Sequence, residues 1–514
     1  MKKPIALFLP VFFIAGVALA ADPQSAWAHV GASGGRLVYQ TLPTGDRIMD
    51  FSHAGYMGGG ARLPVVAVKK TVRPSGRDDT AAIQAAIDAV AMLEPVNGIR
   101  GAVLLDGAKF DCGSTLTIGA GGIVLRGNGA AKTIIAMSGK PHVCLAIKGD
   151  RSVRGDRTDA KITDAYVPSG ASSFTVENAA GFKTADTILI TRPVTPEWVA
   201  FMGMDKLVRN GKAQEWFTKV ITTERVIKQL SGNKITVDIP LSDSLDARYL
   251  QPSGATVSKA TITGGISQVG VESLGIVSRP QAIEITEDHH SGIALDGVTD
   301  AWVRDVNIDN AIGSIEIEAS VRRVTIENVE MNHLRPTKGS AKPLDIRIEG
   351  SQIFVNRCRG KGDDIFYVAT ASRATGPNVV MNCVFHGNGH IQPHMRWATG
   401  LLVDNCQVPK GSIDFMNRGT MGSGHGWAMG WAVAWNCTAS SFLIQQPPGT
   451  TNWSIGSRGT RQTSAMPDMD GNGKGSPLPE GIFDSHNKPV APRSLYLAQL
   501  GERLGLPALK NIGY

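Results

Sequence analysis

One short pattern recurs along the C-terminal half of the chain and restricts what the chain can fold into. "FVNRCRG" places Cys358, "VVMNCVF" Cys383, "LVDNCQV" Cys406 and "AWNCTA" Cys437 in one frame. "VRDVNI" and "IENVEM" carry Val306 and Val329 in the same slot further upstream. The intervals run from about 23 residues (306 to 329) to about 31 (406 to 437), the size of a supersecondary unit stacked on its neighbours. Each unit also holds a second short alternating strand, over 314–320, 344–350, 364–370, 391–396, 413–418 and 442–448.

Short strands at this period, punctuated by Gly, Asn and Pro with no helical period between them, predict an all-β, single-stranded right-handed parallel β-helix. Successive coils then lie about 4.8 Å apart, and equivalent residues stack into ladders. The cysteine column is expected to be a buried stack of thiols, which behave as small hydrophobes; disulfides between coils stay open at this point. Asn382, Asn405 and Asn436, each one residue before a cysteine, are expected to form a stacked turn, because Asn tolerates left-handed backbone. The 59 glycines and the 6% aromatic content suit such a turn-rich chain.

The ends of the stack need covers. "GRDDTAAIQAAIDAVAML" has Asp78 or Asp79 as N-cap and an apolar stripe at Ala82, Ile83, Ala86 and Ile87, so a capping helix is expected there. "PRSLYLAQLGERLGL" reads as a second amphipathic helix, a C-terminal tail or cap. The expected division is a signal peptide over 1–21, a leader over 22–75, the β-helix over 76–460 and a C-terminal tail and capping helix over 461–514. An inserted arm is expected over 192–230, where "RPVTPEWVAFMGMDKLVRNGKAQEWF" breaks the strand rhythm with helical periodicity.

"MKKPIALFLPVFFIAGVALAAD" has two lysines, an apolar run and a small-residue exit, the pattern of a cleaved secretory signal, so a secreted or periplasmic location is expected. No later stretch is long and apolar enough for a transmembrane anchor. The 52 Lys and Arg against 45 Asp and Glu give a formal net charge of +7, scattered along the chain. A nucleic-acid binder would show a basic stripe. No nucleophile elbow, phosphate loop or zinc spacing occurs. "DMDGNGKG" has the look of a calcium loop, but Pro479 stands where the twelfth-position acid belongs, so a turn is expected. No cofactor is implied, with calcium left as an open requirement.

The helix "DDTAAIQAAIDA", the strands "GAVLLDGAKF" and "GGIVLRGNG" and the later Asn-Cys coils resemble the pectin-lyase-like right-handed β-helix superfamily, over roughly residues 65–460. That superfamily contains lyases, glycosidases, esterases and phage tailspikes, so the resemblance implies the fold and leaves the activity to the site.

The second strands carry an outward polar strip: Glu316 and Glu318, Arg347 and Glu349, Gln392 and His394, Asp414 and Asn417. Arg396 and Arg418 are expected in the same slot of adjacent coils. Two stacked guanidiniums repel unless an anion lies between them, and Arg matches carboxylate geometry in two-pronged fashion. The competing reading is a solvated face whose arginines pair with Asp404, Asp414 or carbonyls. Five of the eleven histidines lie within 333–425, and His425 sits in "GSGHGWAMGWAVAW" with Trp427, Trp431 and Trp435 behind it.

The expected function is therefore a polysaccharide lyase on an acidic, uronate-containing substrate. Arg396 and Arg418, aided by Asn417, would neutralise the uronate carboxylate. His394 or one of the arginines would be the base, and Tyr367 or His425 the acid. Asp414, Gln392, Glu316, Glu318, Arg347, His333 and Trp427 are expected to bind substrate. One alternative is a glycoside hydrolase with paired carboxylates; polygalacturonases of this fold carry Asp-Asp and Gly-His-Gly motifs, matched here by "GDD" (362–364) and "GHG" (424–426), but without the Arg-Ile-Lys that should follow. The other is a non-catalytic glycan binder.

Overall fold

The computed structural model describes residues 23–32, 34–156, 159–217, 219–339, 342–463 and 478–514. The expected signal segment and the "DMDGNGKG" turn lie outside these residues. No helix among the described residues is long and apolar enough to cross a membrane.

The body is a right-handed parallel β-helix. A continuous parallel ladder of 27 strands, among the described residues, climbs from coil to coil. Each coil contributes to three faces. The A face holds strands such as Ser351–Asn356 and Ala398–Asp404, the B face Arg359–Lys361 and Val384–His386, and the C face Leu344–Ile348 and Phe366–Thr370. One apolar core runs the length of the stack and is built mainly of Val, Ile and Leu, whose branched side chains fill stacked β positions.

The turn from A to B is a single residue, and that is why the asparagines are where they are. Asn382, Asn405 and Asn436 have φ of 52°, 53° and 49°, and Asp305, Asn328 and Arg357 hold the same left-handed turn in other coils. Immediately after them, Cys358, Cys383, Cys406 and Cys437 are fully buried. All six cysteines are free thiols. Cys406 and Cys437 donate to carbonyls of the preceding coil, Val380 O and Val403 O, at 3.3 and 3.2 Å.

Helix α1, Thr80–Ala91, lies over the first coil with Ile83, Ile87 and Val90 in the core. Its N-cap is Asp79, yet the side chain that bonds the first turn is that of Asp78, which accepts from Thr80 N at 3.0 Å.

Two expectations are corrected here. The arm over 192–230 is the middle of a larger insertion: an antiparallel sheet drawn from 152–263, with its own apolar core, interrupts the stack between Val143–Lys148 and Ile266–Val277. Ile221–Ser231 is one of its strands, paired with Thr187–Arg192, so only the stretch between them, with helix α2 (Pro196–Phe201), reaches out. The C-terminal helix α3, Leu495–Leu504, does not cover the last coil. It lies along the A face with the N-terminal leader, where Tyr496 stacks on Phe354 at 4.5 Å and Arg503 donates to Ser52 O and Gly58 O. Ser494 Oγ and Tyr496 N, at its N-terminal end, donate to the buried Asp404 carboxylate at 2.7 and 2.9 Å.

Candidate functional site

The C face carries the polar strip. In register, Glu316 lies beside Arg347 and Arg347 beside Ala369; Gln392 and Asp414 continue the row, joined by a 2.9 Å hydrogen bond. Ala369 and Ala371, both 2% exposed, give the middle coil no outward side chain beyond Cβ, so the strip drops in side-chain height between an acidic end and a basic one, and this dip is the trough of the C face.

At the acidic end, Arg347 is shared by three carboxylates. Its Nη1 is 3.1 Å from Glu318 and 3.5 Å from Glu316, and its Nη2 pairs with Glu349. Burial raises Glu318 above the usual carboxylate range, against the pull of Arg347.

At the basic end stand His394, His425, Arg396 and Arg418. The two imidazoles meet edge to face, and His394 stacks on Phe366 with centroids 6.1 Å apart. Arg418 is 8% exposed, lies over Phe366 and donates Nη1 to His394 O at 2.9 Å, while its Nε is buried without a partner. No carboxylate among the described residues forms an ion pair with Arg418 or Arg396. Burial lowers Arg418 to about 10. Burial, then Arg418, Arg347 and Arg396, push His394 down to about 4. Burial, then His394, Arg418, Arg396 and Arg209, push His425 to about 3. Both imidazoles are neutral at pH 7 and lie beside positive charge that is offset at Arg418 by Asp414, which acts on it without forming an ion pair.

Arg396 and Arg418 do not share one slot. The C-face strands stop at Ile391, two residues before Pro393, which has no N–H to give to the ladder, and at Phe415 in the next coil. Arg396 then turns with φ of 54° and donates Nη2 to Ser423 O at 3.0 Å, whereas Arg418 turns back to His394. They flank the histidines rather than stack.

The insertion holds this end together. Trp216 Nε1 donates to His425 O at 3.1 Å, and Arg209 Nη1 to Gly422 O at 2.8 Å. Gly426, with φ of 56°, leaves no room for a Cβ, which would meet the Trp216 indole at 2.5 Å.

Four expected residues lie elsewhere. Tyr367 is fully buried, with its hydroxyl between Gly362 O and Gly389 N, so it does not reach the trough. His333 is turned inward, its Nε2 2.6 Å from the buried Asp345. Trp427 is 2% exposed and bonded to Met202 O under the insertion. Asn417 bridges to Trp427, and its side-chain oxygen is taken up by Gly419 N at 2.8 Å. The Asp-Asp and Gly-His-Gly motifs sit at opposite ends of the C-face strands: Asp363 and Asp364 precede Phe366–Thr370, and His425 follows the C face. Sequence reasoning missed His390, whose Nδ1 is 2.7 Å from Ser412 Oγ and 3.3 Å from Asp414 Oδ2. It also missed Phe366 as the hub and Arg209 as a clamp. No group of three or more His, Cys, Asp or Glu among the described residues is placed to hold a metal.

Fold and strip together define a parallel β-helix with a charge-divided lateral trough. No protein-family model and no curated protein matches the chain. Solved structures similar to it include the tailspike protein gp49 from Pseudomonas phage LKA1, at 15% identity and a TM-score of 0.41, covering 75% of this chain and 56% of that one. The Gp54 tailspike of Acinetobacter baumannii bacteriophage AP22, solved with A. baumannii capsular saccharide, aligns at 12% identity and a TM-score of 0.39, covering 76% and 56%. The tailspike of E. coli bacteriophage HK620, in complex with pentasaccharide, aligns at 10% identity and a TM-score of 0.38, covering 76% and 55%. The chain thus spans a little over half the length of these structures.

Proposed function

We propose that the chain is a secreted or periplasmic enzyme that cleaves an acidic, uronate-containing polysaccharide by β-elimination. One observation carries this reading: the buried Arg418 guanidinium, flanked by Arg396 and two neutral imidazoles, has no carboxylate partner among the described residues. A buried cation with no directly paired carboxylate, only the pull of Asp414 from outside ion-pair range, is costly, and a substrate carboxylate supplies the contact partner. Held against Arg418 and Arg396, that carboxylate stabilises negative charge at its α-carbon. Neutral His394 takes the α-proton, the electron pair forms the carbon–carbon double bond, and the bond to the glycosidic oxygen breaks. The imidazolium formed at His394 is acidic for the reason the imidazole is a weak base, and it returns the proton to the leaving oxygen. Tyr367 has no part in this scheme, and His425 orients His394.

A second reading rests on the other end of the trough. Glu318, raised by burial and sharing Arg347 with Glu316 and Glu349, suits the general acid of a glycoside hydrolase. Incubation with a panel of polyuronates separates the two. Rising ultraviolet absorbance together with reducing ends, both lost in Arg418→Ala and kept in Glu318→Gln, supports elimination. Reducing ends alone, lost in Glu318→Gln, would replace it with hydrolysis. Binding without cleavage would leave a glycan-binding protein.

A further inference from the structure

A cavity of about 370 Å³ lies where the inserted sheet meets the first residues of the A-face strands. No residue of the proposed reaction lines it. Four arginines do: Arg151 and Arg225 from the insertion side, Arg322 and Arg323 from the coils. Arg151 Nη2 donates to both oxygens of Glu224, at 2.9 and 2.7 Å. Arg322 Nε is ion-paired with the same carboxylate at 3.1 Å but is buried without a hydrogen bond. Arg225 is 2% exposed and donates only to carbonyls, among them Ile239 O and Gly376 O. Arg323 pairs with Asp300 through Nη2 at 2.7 Å, while its Nε is buried and unpartnered.

One carboxylate therefore serves two guanidiniums, and a third, Arg225, is ion-paired with none among the described residues and feels Asp238 and Glu224 only from outside ion-pair range. Asp238, the other acid on the wall, accepts from Val226 N. The mutual repulsion is felt at Arg322, which burial, Arg151 and Arg323 hold below the usual guanidinium range. Positive charge gathered in a space of this size is offset most effectively by a small anion with more than one charge, whose oxygens reach several forked donors at once.

We propose that this cavity binds a tetrahedral oxyanion, a phosphate or sulfate group, seated against Arg322 and Arg323. It would pin the insertion to the coil stack by joining donors from both. The anion is either free in solution or an ester group on a glycan.

Equilibrium dialysis of the full chain with labelled inorganic phosphate, at constant ionic strength, tests it. Saturable binding of about one equivalent is expected, weakened roughly tenfold or more in Arg322→Gln and unchanged in Arg418→Ala. Where Arg322→Gln does not fold, Arg323→Gln, whose native side chain is 39% exposed, takes its place. Competition by a sulfated oligosaccharide would assign the site to a glycan ester, and its failure to a free anion. Phosphate that does not bind, or that binds equally to Arg322→Gln (or to Arg323→Gln in its place), or that is lost only with Arg418, overturns the proposal.

Discussion

The rings of His394 and His425 meet edge to face, 4.7 Å between centroids and 89° between planes, and the charges of Arg418 and Arg396 act on both. Buried, and this close to each other and to two guanidiniums, the two imidazoles stay neutral well below the ordinary range. If His394 is the base, the acid limb of kcat/KM lies near pH 4, where His394 gains its proton, and not near 6.5. A pH–rate profile on the polyuronate that is cleaved measures this directly. A limb near 6.5 would remove His394 from the base position.

The same displacement has a consequence for stability, with the opposite sign to that of Asp404. His394 binds its proton at about 4 when folded and 6.5 otherwise, so the unfolded chain takes up more protons between these values and stability falls as pH falls through that window. Asp404, buried against the start of α3, is pushed up from 3.8 to about 7. The stability that its protonated form contributes below pH 3.8 is lost as pH rises towards 7. Asp404→Asn keeps an acceptor for Ser494 and Tyr496 but cannot ionise. Urea unfolding should show it near the native chain at pH 4 and more stable by on the order of 2 kcal/mol at pH 8. A difference that does not change with pH would contradict the burial argument.

Trp216 links the insertion to the basic end of the trough. It is 1% exposed, stacks on Trp198 at 5.0 Å and gives its N–H to His425 O. Trp216→Phe keeps most of the packing and removes the hydrogen bond, about 1 kcal/mol of anchoring for the 419–426 turn. Its expected signature is a clear fall in kcat/KM with a small change in melting temperature. Trp216→Ala removes the packing too and should cost about 3–5 kcal/mol in global stability. Equal losses of activity and stability in Trp216→Phe would make the contact purely structural.

How much of this was legible depended on whether the signal repeats. Val306, Val329 and the four later cysteines announce the coil, and the residue before each announces its turn, because every coil restates the same local chemistry. The helix over the first coil was readable from its own periodicity. Tyr367 was not, because a register shift between Phe366 and Val368 breaks strict alternation: Phe366 faces the trough while Tyr367 and Val368 are both buried. The Arg396–Arg418 pair was misplaced for a related reason, since the strand ends at Ile391, before the row reaches Arg396. The insertion was hidden because its sheet order is set by pairings between distant strands, such as Thr187–Arg192 with Thr256–Thr263. His390 and Ser412, 22 residues apart, meet only because the coils stack.

The asparagine ladder can be tested in its two components. Asn405 Nδ2 donates to Asn382 Oδ1 one coil below, and Asn405 holds φ of 53°. Asn405→Gly keeps the left-handed turn free of Cβ strain and loses the side-chain bond, a cost of about 1 kcal/mol. Asn405→Ala loses the bond and must also place a Cβ in the left-handed region, adding about 1–2 kcal/mol. Thermal or urea unfolding should therefore rank the native chain above Gly and Gly above Ala. Ala equal to or more stable than Gly would mean that the backbone relaxes out of the left-handed turn. In that case the coil would be held by its buried column, Cys383 beneath Cys406, and not by the turn that precedes it.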